Sequence, residues 1–324
     1  MSISRRSLLG GLGAAALLGG CGGGRPAAAP SSTTAPGAGP SPVPTPTPAL
    51  PQTTPWTARP GEVNPAVKAR ATGLLQLVGT WSADGVGLAA AEQRVQAAGY
   101  DLGLIEQLEF LAPNAEAAVT NFVDAQYGGI LSDSASVLIM AAQWYRTAGG
   151  PIVRHGSTFD VRLAGADPHW TVTAVHPAAP GPPSTGLTTL AESVLANGRI
   201  HLPDSARADV TAGQIHDSVL GALDKLARNH VLDVSVLRSG HPLLVFGTDR
   251  PSDHPHGRAA DIWAIDGSVV VDPANRDLVI AFMREAAAAG PWQVGGPVDL
   301  DGPNGHQYFS DNTHHDHVHM GFRT

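Results

Sequence analysis

Eight of the fourteen histidines fall from position 241 onward, and they keep company with aspartates. One group sits in Ser252-Asp253-His254-Pro255-His256-Gly257-Arg258-Ala259-Ala260-Asp261, the other in His314-His315-Asp316-His317-Val318-His319. Neutral imidazoles and an ionised carboxylate are ligands that suit zinc. A catalytic zinc ion takes three of them at about 2.0–2.2 Å and leaves a fourth position open for water. His254 and Asp261 are too far apart for one helical turn. Gly257 and the small Ala259 and Ala260 let a loop bend tightly into a strand so that both side chains converge. In an extended terminal segment, His317 and His319 point to the same face.

The first group fits S-x-H-x-x-G-x-A-x-D at every fixed position. In this it resembles the zinc peptidases of the D-Ala-D-Ala carboxypeptidase and L-Ala-D-Glu endopeptidase group, which share their fold with the Hedgehog signalling domain. The resemblance covers roughly residues 186 to 324 and implies that His254 and Asp261 are zinc ligands. The third ligand of that family is the last histidine of an acid-x-x-His motif, which implies His319. The acid of that motif is the family's general base, which gives the role to Asp316. His317 corresponds to the first histidine of an H-x-H found in related members, a polar partner of the transition state.

A cation is also needed, to stabilise an oxyanion or to hold a substrate carboxylate. The family carries it in S-G-Y-R. Here Ser235-Val236-Leu237-Arg238 keeps only the Ser and Arg spacing, and Ser239-Gly240-His241 keeps only the Ser-Gly. Arg238 is the first choice and Arg250 the alternative, while Arg258 lies inside the zinc loop and is expected to be solvated. His256, His306, His314 and His315 are expected as loop residues or hydrogen-bonding neighbours of the ligands. Asp253 is expected to cap a turn, and Trp263 and Trp292 to pack in the core.

The elements that must position these residues follow from periodicity. Apolar spacing near 3.6 predicts helices over Pro65–Trp81, Leu88–Ala97 and Ala115–Phe122. Ser136–Tyr145, Thr158–Leu163 and Trp170–Val175 then predict a short antiparallel meander. Residues 61–180 thus read as an α+β domain of helices plus a small sheet, with isolated histidines (His155, His169, His176) and no chemistry of its own. Pro177–Ser184 is a linker by composition. In residues 181–324, the expected zinc domain, Thr188–Leu195, Asp209–Asn229 and Arg276–Ala289 read as helices, and Leu232–Leu237 and Val318–Phe322 as strands. The fold class expected is α+β with two folded domains, the second Hedgehog/DD-peptidase-like.

The start of the chain carries a different message. Residues 1–20 pair Arg5 and Arg6 with an apolar stretch free of acids, which resembles a twin-arginine export signal. Leu18-Gly19-Gly20-Cys21 resembles a bacterial lipobox, making the single cysteine a lipidation site and a membrane anchor. Residues 21–60 are Gly, Ala, Pro, Ser and Thr almost throughout, a stalk that cannot bury enough apolar surface to fold.

Loss of the signal moves the net charge from −8 to −10, since Arg5 and Arg6 leave with it. An acidic chain with 5% aromatics and no basic run argues against nucleic acid as a partner. The expectation is an exported, lipid-anchored zinc hydrolase acting on peptidoglycan stem peptides. Its rival is the same fold retained as a binding module that keeps the metal without turnover.

Overall fold

The computed structural model describes residues 49–324; the export signal, Cys21 and most of the stalk lie outside the described residues. The described chain is mixed helix and sheet. In order, it forms α1 (Pro65–Gly79), α2 (Leu88–Ala97), β1 (Ala117–Ile130), β2 (Ser134–Arg146), β3 (Ile152–Ala166), β4 (His169–Pro177), α3 (Thr189–Ala196), β5 (Ile200–His201), α4 (Asp204–Thr211), α5 (Asp217–Leu226), β6 (Leu232–Val236), β7 (Ala259–Ile265), β8 (Ser268–Val269), α6 (Arg276–Ala288), β9 (Gln293–Gly295), β10 (Tyr308–Phe309) and β11 (Val318–Gly321).

α1 starts on Pro65, whose missing N–H costs nothing at a helix start. It buries Val67, Ala71, Leu74, Leu75 and Val78 along one face. That stripe lies on an antiparallel meander of order β1-β2-β3-β4. Residues 115–122, expected as a helix from their alanines, instead lead into and form β1. Its partner β2 pairs along nearly its full length, Ala117 opposite Arg146 to Ile130 opposite Ala135, and cross-strand pairing outweighs local propensity.

The meander is covered on both faces. Ala125, Tyr127, Val137, Ile139 and Ala141 point into the core shared with α1. On the opposite face, Leu138 and Met140 pack against Val236 of β6. Alternation therefore disappears from the sequence of β2, because both of its faces are buried.

The second sheet has the order β10-β9-β11-β7-β6-β5, with β8 paired to β7. Helices α3, α5 and α6 supply its apolar cover, including Val194, Leu223, Phe282 and Met283. The single helix expected over 209–229 is two helices, α4 and α5. The chain leaves α4 through Gly213 at φ +67°, a left-handed conformation that ends a helix.

Candidate metal centre

The register of the second sheet sets the site. β11 pairs antiparallel with β7 so that His319 lies directly opposite Asp261. Residues so paired have Cβ atoms about 4.5–5.5 Å apart, which lets their side chains meet. His254 arrives from a tight 3-10 turn, His254–His256, closed by the Gly257 N–H on the His254 carbonyl at 2.8 Å. Gly257 has φ +67°, and a Cβ there would stand 1.9 Å from the Gln214 carbonyl oxygen, so only glycine lets the turn lie this close to its neighbour.

All three side chains converge in a buried position. Asp261 Oδ1 is 3.2 Å from His254 Nε2 and 2.9 Å from His319 Nδ1, and the two imidazole nitrogens are 3.3 Å apart. Two ligands bonded at about 2.05 Å to a tetrahedral ion stand about 3.3 Å from each other, so this triangle has the size of one face of such a site. Its electron pairs point inward as well. His254 Nδ1 is 3.0 Å from the Leu237 carbonyl, which can only accept, so the proton sits on Nδ1 and the Nε2 lone pair faces the triangle. At most one hydrogen, on His319 Nδ1, is then available to three electron-pair donors, whereas a cation at their common point satisfies all of them. The donor set fits a metal ion.

Charge states agree with that fit. Burial resists ionisation of Asp261, but positive charge beside it, at the positions of the His254 and His317 rings, outweighs burial and holds the carboxyl well below its usual range, a part that a bound cation would take over. Burial lowers the pKa of His319 to about 4, against the pull of Asp261, so its ring is neutral at pH 7, the form in which an imidazole ligates a metal.

His241 stacks on His254, with ring centroids 4.0 Å apart and planes at 15°. His241, His254 and Asp261 form a group that could bind a metal ion, each offering an atom within 4.8 Å of the others. Two triads thus share His254 and Asp261. The one completed by His319 is tighter, at 2.9–3.3 Å, and is preferred on that ground. Sequence reasoning treated His241 only as a departure from a motif and missed its place beside His254 and Asp261.

The triangle opens onto a cavity of about 810 Å³, lined among others by His241, His254, His317 and His319. Neither Asp316 nor Arg238 lines it. Asp316 is turned into the protein, where Oδ2 accepts from Lys68 Nζ at 2.7 Å and from the Tyr127 N–H at 3.0 Å, and Oδ1 meets His317 Nδ1 at 2.7 Å. Burial favours its neutral form, but Lys68 and then His317 hold its pKa at about 2. His317 Nε2 is 3.7 Å from Asp261 Oδ1. Burial works against charge on His317, yet Asp261 and Asp316 raise its pKa above the ordinary imidazole value.

Arg238 reaches towards Asp209, 3.8 Å away, in a separate pocket beside His176 and Pro255. Arg250, the alternative, lines the cavity. His314 also borders it, bonded at 2.8 Å to Asp311. His306 lines its rim, whereas His315 bonds the Gly61 carbonyl at 2.7 Å and His256 is exposed. Trp292 lines the cavity and donates to Asp253 at 3.3 Å, while Trp263 sits under Arg59.

The first region, expected to have no chemistry, contributes directly. Gln126 Nε2 donates to Asp261 Oδ2 at 2.7 Å, and Ser235 Oγ donates to Gln126 Oε1. Lys68, wholly buried, bridges Asp316 and Glu62, and Arg59 pairs with Asp124. Nothing in the local sequence marks Gln126 or Lys68 as neighbours of the site, since Asp261 and Asp316, which they bond there, lie far along the chain from them.

Compared with protein-family models, with curated proteins and with solved structures, the chain shows no significant match to any of them.

Proposed function

We propose that the chain is a zinc-dependent hydrolase that cuts an amide bond in peptidoglycan stem peptides, held at the outer face of the membrane through Cys21. The observation that carries this reading is the buried triangle of His254, Asp261 and His319, sized for one ion and open to a large cavity. Zinc, when bound there, would supply Lewis-acid polarisation and a water of lowered pKa.

The chain's own groups do the rest. His317 borders the cavity, and its Nδ1 is committed to Asp316, so Nε2 is the atom placed to carry a proton between attacking water and leaving amine. Asp316 acts through His317, fixing the ring and balancing its charge. Arg250 is the cavity cation that can pair with a substrate carboxylate. The assignment of the family's base to Asp316 is thereby shifted one residue along the chain.

One observation favours the rival, a metal-holding module that binds wall peptides without turnover. Asp316, the acid that the resemblance makes the general base, does not line the cavity, and its oxygens meet Lys68, the Tyr127 N–H and His317.

The two readings separate in one experiment. The full-length protein loaded with zinc is incubated with stem peptides ending in D-Ala-D-Ala or containing L-Ala-D-Glu, and new amines are quantified. Cleavage is expected, with His317→Ala slower by about 10²–10⁴-fold. Retained peptide binding with no new amine would overturn the enzyme in favour of the binder.

A further inference from the structure

We propose that β1 of the first region is part of the metal centre, with Gln126 as the positioning residue that holds Asp261 in a one-oxygen binding pose. The inference rests on the metal reading above and extends it to a side chain 135 positions away in sequence.

Asp261 has two oxygens with different company. Oδ1 faces His254 and His319, at 3.2 and 2.9 Å. Oδ2 is taken by the Gln126 amide at 2.7 Å. A carboxylate can rotate so that both oxygens approach one ion, and a donor fixed on Oδ2 opposes that rotation and leaves a coordination position for water or substrate.

Gln126 is itself fixed. It is fully buried, and its Oε1 accepts from Ser235 Oγ, which also lies 3.1 Å from the Asp261 carbonyl oxygen. The carboxylate settles the amide orientation, because the ionised Asp261 Oδ2 can only accept, so Nε2 must face it and Oε1 is left to accept from Ser235. The β1 backbone is shaped to deliver the group. Register shifts flank it, between Phe122 and Asp124 and between Tyr127 and Gly129, and bulges of this kind re-aim side chains. The next residue, Tyr127, gives its N–H to Asp316 at 3.0 Å, so consecutive residues of β1 secure a carboxylate in each of the two histidine-bearing segments.

The test reads metal binding rather than turnover. Full-length wild type and Gln126→Met, a change that keeps the volume and removes both hydrogen bonds, are titrated with Zn²⁺ against a chelator and with Co²⁺ while its visible absorption is followed. Loss of an outer hydrogen bond to a ligand weakens metal affinity by about 10–100-fold. Gln126→Met is expected to show that loss together with a changed Co²⁺ spectrum, and its metal-free unfolding should show that the fold persists.

Should Gln126→Met not fold, Ser235→Ala loosens Gln126 without removing it and is expected to give a smaller loss in the same direction. Wild-type affinity and spectrum in whichever variant folds would overturn the role of Gln126 while leaving the metal reading in place. Failure of wild type to bind one equivalent of Zn²⁺ or Co²⁺ would overturn the metal reading, and this inference with it.

Discussion

A histidine can ligate only with the nitrogen that its other hydrogen bond leaves free, and the Leu237 carbonyl decides this for His254. The residue types and the spacing of Ser252, His254, Gly257, Ala259 and Asp261 were legible in the chain because each serves a local need: a candidate ligand, a tight turn, a thin strand. The cation was not, because Arg238 and Arg250 are equivalent by type and differ only in what surrounds them. Asp209 lies beside Arg238, while Arg250 stands at the cavity. Arg250→Ala is therefore expected to weaken stem-peptide binding roughly 10- to 150-fold, the equivalent of a hydrogen bond to a charged group worth about 1.5–3 kcal/mol. Arg238→Ala should leave it unchanged, and isothermal titration with the same peptide separates the two.

Among the elements, α1 was read correctly from its apolar stripe, and β1 was not. The alanines of 115–118 favour a helix, and no local signal records that β2 waits 16 or more residues further on as a partner. α1 also does more than cover the meander, since it carries Lys68 into contact with Asp316 and Glu62. Burial lowers the pKa of Lys68, but Asp316 and Glu62 outweigh it, and the ammonium stays charged. Lys68→Met keeps the bulk of the side chain and strands two buried carboxylates. Removal of one partner from a buried ion pair costs about 3–5 kcal/mol, so urea unfolding should show a loss of that order.

Over the whole molecule, the two sheets face each other across Leu138, Met140 and Val236, and the acids of the site are buried between them. This gives folding stability a dependence on acid pH. The pKa of Asp316 is about 2 in the folded protein, below the unfolded value of about 3.9, so its contribution is present above pH 4 and disappears as pH falls through about 2. Asp316→Asn should be less stable than wild type at pH 6, and the gap should close between about pH 4 and pH 2. Urea titrations of both proteins at several pH values, with metal chelated throughout, give the comparison.

The sequence by itself determined what depends on near neighbours along the chain: the turn at Gly257, the helices α1, α2 and α6, the strand that ends the chain, and the company of histidines and aspartates that suits a metal. Only the tertiary structure decided that Asp316 is turned away from the cavity, that Arg250 lines it, and that Gln126 and Lys68 of the first region bond Asp261 and Asp316. The physical reason is separation. The Gln126–Asp261 and Lys68–Asp316 contacts span 135 and 248 positions of chain, where neither periodicity nor local spacing carries a signal.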